Sequence, residues 1–157
     1  MQKRTILIID DSPVMSRFLA IFLEKKYEVI PFSDSTDALE AIKGGLSPDA
    51  IITDLDMPKL SGMDFIHAVR ELDKNTPIAV ISSNKESAVR IQCLESGADD
   101  YLAKPFHPAE LDMRIGKLLL KSVPSIVEEA DTENIEVEQR SIPVRSIFKE
   151  FIKAAAF

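Results

Sequence analysis

A chain of 157 residues with 19 Lys and Arg against 26 Asp and Glu carries a formal net charge of −7. That charge argues against direct binding to nucleic acid, whose partners present a basic face. One cysteine (Cys93) and two widely separated histidines (His67 and His107) exclude a disulfide framework and zinc-ligand spacing, and no apolar run reaches the roughly 18 residues of a membrane span, so a cytoplasmic protein without membrane insertion is expected.

The first 121 residues alternate short β-branched runs with longer helical patterns. Strands are predicted at 5–9, 27–30, 50–53, 78–82 and 100–102, each followed by a helix, at 13–25, 35–43, 62–72, 86–96 and 108–121. Ile6–Ile9 and Ala79–Ile81 are apolar without alternation, which suits parallel strands covered on both faces. Right-handed crossovers then place helices on both sides of a five-stranded, doubly wound α/β sheet. Ser12 with Pro13, and Ser35, are expected to cap helices, and Pro108 fits a first helical turn.

Beyond this expected domain of residues 1–121, the stretch 122–143 is polar and acidic, bounded by Pro124 and Pro143, and reads as a linker. In residues 144–157, Val144, Ile147, Phe148, Phe151, Ile152 and Ala155 fall on one face of a helix, a C-terminal extension that needs cover.

In open α/β sheets ligands bind outside the carboxyl ends of the strands. The polar residues closing each run are Asp10 and Asp11, Asp54, Ser82 and Ser83, and Lys104 with Pro105, all expected on one rim. Carboxylates held about 5 Å apart repel by roughly 3 kcal/mol per pair at an effective dielectric near 20, so a cation is expected among them. A few hard oxygen ligands, with room left for water and a phosphate oxygen, suit Mg2+ better than zinc or a full calcium cage. A phosphoryl donor docked there would share its charge with the ion and the Lys104 ammonium while a carboxylate attacks in line. Asp54, between the acidic pair and the lysine in strand order, is the best nucleophile.

Four segments, at 6–12, 51–58 with Ser61 and Gly62, 77–83 and 97–106, resemble in order the signature blocks of response regulator receiver domains, the CheY-like superfamily. The resemblance covers about residues 3–121 and implies the flavodoxin-like strand order 2-1-3-4-5. It implies Asp54 as phosphoacceptor, Asp11 as a direct Mg2+ ligand, Asp10 acting mainly through water, and the Asp56 backbone carbonyl as a further ligand. Ser82 matches the hydroxyl that reaches the phosphoryl group, Lys104 its charge partner, Tyr101 the aromatic that swings inward as Ser82 moves, and Pro105 the cis-prolyl turn. Asp56 and Asn84 flank the phosphate and are expected to tune hydrolysis.

A two-component phosphorelay follows. The partners implied are a sensor histidine kinase or histidine phosphotransfer protein and a downstream protein target, with a homodimer as one further candidate. The chemistry is self-catalysed phosphotransfer and autodephosphorylation rather than turnover of a substrate. Two other readings stand beside it: the front of a longer regulator whose output segment is cut short, and a phosphatase of the haloacid-dehalogenase type. The latter is suggested by the paired Asp54 and Asp56 but disfavoured because that family carries its pair on the first strand. Cys93 is expected to be small core filler, and His67 and His107 surface residues.

Overall fold

A computed structural model describes residues 2–121. Five strands, β1 (Thr5–Ile9), β2 (Glu28–Phe32), β3 (Ala50–Thr53), β4 (Ile78–Ser82) and β5 (Asp100–Ala103), form one parallel sheet in the order β2-β1-β3-β4-β5. Between and after them run α1 (Pro13–Leu23), α2 (Ser35–Lys43), α3 (Gly62–Leu72), α4 (Ser87–Glu95) and α5 (Pro108–Lys121). This is the doubly wound fold expected from the apolar runs. The expected linker 122–143 and terminal helix 144–157 lie outside the described residues.

The pleat explains why the central strands lack alternation. Leu7, Ile9, Ile51, Ile78 and Val80 point to one face, where Ala38, Leu39, Phe65, Ile66, Val69 and Cys93 of α2, α3 and α4 cover them. Ile6, Ile8, Ala50, Ile52, Ala79 and Ile81 point to the other, against Leu19 and Leu23 of α1 and Leu111, Ile115 and Leu118 of α5. Each Leu, Ile, Val or Phe so enclosed contributes about 1.5–3 kcal/mol of transfer free energy, so both faces are apolar along the central strands until their carboxyl ends, where Thr53 and Ser82 are buried.

The boundaries differ from expectation where local chemistry overrides pattern. The second strand runs through Pro31, pairing it with Ile8; proline is tolerated because β2 is an edge strand with one side of its backbone unpaired. Ser12 caps α1, its Oγ accepting the Met15 N–H at 3.4 Å, but Ser35 does not cap α2. That position belongs to Asp34, whose Oδ1 accepts the Thr36 N–H at 2.7 Å, while Ser35 is the first helical residue. A carboxylate and a hydroxyl are both good caps, and adjacent in sequence they are not distinguishable by type. Cys93 is buried with its thiol pushed above the ordinary range by burial, whereas His67 and His107 are exposed.

Candidate functional site

Because the strands are parallel, their carboxyl ends share one rim, and the order reverses between β1 and β3, where crossovers diverge to opposite faces and leave a crevice. Asp10 follows β1 and Asp54 follows β3, and their strands are joined there by the Asp54 N–H donating to the Ile9 carbonyl at 2.9 Å. Carboxylate oxygens of Asp10, Asp11 and Asp54 all lie within 4.8 Å of one another. Asp10 and Asp54 are buried, Asp11 is exposed, and the cluster therefore opens to solvent through Asp11.

Lys104, just past β5, reaches across the rim. Its Nζ lies 2.7 Å from Asp54 Oδ2 and 3.2 Å from Asp10 Oδ2, with all three side chains largely shielded from water. Burial alone would lower its ammonium, but the two carboxylates outweigh this and hold it above its ordinary value. Burial also pushes the Asp10 carboxyl above 3.8, against the pull of the Ser12 N–H and Lys104, and the charge of Asp54 adds to the rise. One ammonium thus serves two buried carboxylates with a third beside them, leaving a site short of positive charge.

Asp54 is oriented by its own backbone. Its Oδ1 accepts the Leu55 N–H at 2.6 Å and the Asp56 N–H at 3.3 Å, which turns Oδ2 toward Lys104. The Asp56 side chain is exposed, and the Lys104–Pro105 peptide is cis.

Ser82 and Tyr101 form a separate, linked group. Ser82 is fully buried at the end of β4, its Oγ accepting the Asn84 N–H at 3.1 Å, and the Tyr101 hydroxyl donates to the Asn84 carbonyl at 2.6 Å. Tyr101 is inward, 8% exposed. The Ser82 carbonyl accepts the Lys104 N–H at 2.8 Å, so the serine and the lysine share a backbone tie.

Sequence reasoning passed over Gly62 as a determinant of the site. A Cβ there would stand 2.1 Å from the Asp54 carbonyl oxygen and 2.7 Å from Leu55 Cα, so only glycine lets the start of α3 close against Asp54. Its place in the Ser61-Gly62 pair was visible, but the contact is tertiary.

The donor set fits Mg2+ by the chemistry of its atoms: clustered hard oxygens, a shortage of positive charge and an open side for water. Receiver domains typically bind Mg2+ at an acidic pocket of this kind. Among the described residues no helix is long and apolar enough to cross a membrane.

Comparison with known proteins agrees with the geometry. The transcriptional regulatory protein PrrA of Mycobacterium tuberculosis is 33% identical over 142 residues, covering 90% of this chain and 60% of that protein. The hybrid signal transduction histidine kinase D of Dictyostelium discoideum is 31% identical over 141 residues, covering 87% of this chain and 9% of the kinase. The chain thus spans less than two thirds of either relative. The receiver domain of the Francisella response regulator 1452 superposes with a TM-score of 0.72 at 30% identity, covering 76% of this chain and 98% of that one. Residues 6–116 match the response regulator receiver domain, and with its sheet order and its rim of acids around one lysine the chain belongs to that family, the receiver module of response regulators and hybrid kinases in two-component signalling.

Proposed function

We propose that this chain accepts a phosphoryl group on Asp54 in a Mg2+-dependent reaction, from a histidine kinase or histidine phosphotransfer protein, and so switches a surface read by a downstream protein. The observation that carries this reading is the Lys104 ammonium held 2.7 Å from Asp54 Oδ2 within a three-carboxylate cluster. Asp10, Asp11, Asp54 and the Asp56 carbonyl would hold Mg2+, which when bound supplies the positive charge that lets an anionic donor approach.

The residues of the chain do the rest. The Leu55 and Asp56 N–H groups fix Asp54 Oδ1, leaving the other carboxylate oxygen to attack phosphorus as the bond to the donor breaks and the leaving group departs with its electron pair. Lys104 neutralises charge on the transferred group, which arrives at an oxygen it already binds. An aspartyl phosphate brings close to two negative charges and acceptor oxygens. They draw the Ser82 hydroxyl, disturbing its bond with the Asn84 N–H and, through the Asn84 carbonyl, the hold on Tyr101. The face made by α4, β5 and α5 changes with it. Autodephosphorylation returns the resting state, and Asp56 and Asn84, flanking the phosphate, tune its rate. A second copy of the chain is one candidate reader, and the cytoplasm is the compartment in which such a kinase domain would meet it.

The test is incubation with Mg2+ and a small acyl-phosphate donor, read by intact mass, on wild type and Asp54→Asn. Wild type gains one phosphoryl group and the variant none. Equal uptake by both would move the acceptor elsewhere.

A further inference from the structure

Ser35, the first residue of α2, is a polar residue only 1% exposed. Its hydroxyl donates to the Leu60 carbonyl at 2.6 Å, a contact across 25 residues. Beside it, Asp34 Oδ2 pairs with Lys59 Nζ at 2.6 Å. The first turn of α2 therefore grips two consecutive residues of the segment 55–61 that leaves the acceptor. Among the described residues, every other hydrogen bond of that segment stays within positions 54–65. Two of these, from the Met57 and Gly62 N–H groups, converge on the Leu55 carbonyl at 3.2 and 3.0 Å and close the loop at its base.

The two grips differ in strength. Lys59 is 70% exposed, so its ion pair with Asp34 is screened and weak. The Ser35 hydroxyl is buried, and removing it leaves the Leu60 carbonyl without this partner on folding. The loop is closed at its base on Leu55, and only Met57, Pro58 and Lys59 stand between Asp56 and the Leu60 carbonyl that Ser35 holds.

We propose that Ser35 is a positioning residue for divalent-cation binding: by fixing the Leu60 carbonyl, its hydroxyl sets the place of the Asp56 backbone carbonyl at the acidic cluster. This rests on the reading of Asp56 as a cation ligand under the proposed function. A hydroxyl two elements away, on α2, thus supports the site as outer-shell groups do at other metal centres.

The experiment is titration of the full chain with Mg2+ alone by calorimetry, with the melting temperature of the metal-free protein measured separately. Ser35→Ala should bind Mg2+ roughly tenfold or more weakly, and Ser35→Thr, which keeps the hydroxyl, should recover most of the affinity. Ser35→Cys fills the same space with a weak donor and should also bind more weakly; it carries the test if the alanine variant does not fold. A purely structural serine would lower the melting temperature of the variants and leave their Mg2+ affinity at the wild-type value, and that result overturns the inference while leaving the proposed function intact. Wild type that binds no Mg2+ overturns the functional reading and this inference with it.

Discussion

The Tyr101 hydroxyl and the Ser82 side chain meet at one peptide neighbour: Tyr101 donates to the Asn84 carbonyl at 2.6 Å while Ser82 Oγ accepts the Asn84 N–H at 3.1 Å. Asn84 also accepts the Glu86 N–H through Oδ1 at 2.8 Å, so the loop that enters α4 is held at three atoms of a single residue. The helix that follows has no side-chain cap at Glu86 and buries only Cys93. The Asn84 node is therefore a main restraint on its start.

Tyr101→Phe removes one of these bonds without changing the packing of the ring. The expected cost is about 1 kcal/mol, the net worth of one hydrogen bond, with faster amide exchange at Glu86 and Ser87 and phosphoryl uptake by Asp54 retained. Chemical denaturation and hydrogen exchange check this. Unchanged exchange in the loop would mean that the hydroxyl does not restrain it.

Lys104→Met leaves Asp10 and Asp54 buried without their cation. Breaking such a cluster from one side is costly, about 3 kcal/mol or more, and saturating Mg2+ should restore part of that loss. Denaturation midpoints with and without Mg2+ measure both effects, and phosphoryl uptake should fall sharply in parallel.

At the far end of α3, burial would raise the Asp73 carboxyl, but the Thr76 hydroxyl, the N–H groups of Asn75 and Thr76 and the charge of Arg70 together hold it below 3.8. A carboxyl lowered by folding adds stability above its unfolded value and loses it as pH falls through the lowered one. Asp73→Asn keeps an acceptor and removes the charge. It should melt lower than wild type at neutral pH, by no more than about 1 kcal/mol because solvent screens the site. The gap should close as pH drops below 3.8. Melting curves across pH decide it.

Gly62→Ala places a methyl group against backbone that has nowhere to go, 2.1 Å from the Asp54 carbonyl oxygen. A loss of about 1–3 kcal/mol is expected from the overpacking, together with slower phosphoryl uptake, because the displaced backbone is that of Asp54, the proposed acceptor. A kinetic assay beside a melting curve separates the two.

The alternation of elements, the parallel sheet and the rim of Asp10, Asp11, Asp54 and Lys104 were legible along the chain, because periodicity and strand-end position are local properties and parallel topology then leaves one place for strand ends to meet. The cap of α2 was not, since Asp34 and Ser35 are both capping types and only the fold shows the Ser35 hydroxyl turned inward to Leu60. Nor was the passage of β2 through Pro31, which depends on that strand lying at the sheet edge. Gly62 and the Tyr101 bond to Asn84 belong to the same class: Gly62 closes on Asp54 across a loop and Tyr101 reaches Asn84 across 17 residues, and closeness in space is set by packing rather than by residue type. The sequence by itself therefore determined which strand-end groups would meet on one rim, and the tertiary structure alone decided which of them are tied to one another, because a hydrogen bond between separate elements exists only once the core has brought them within reach.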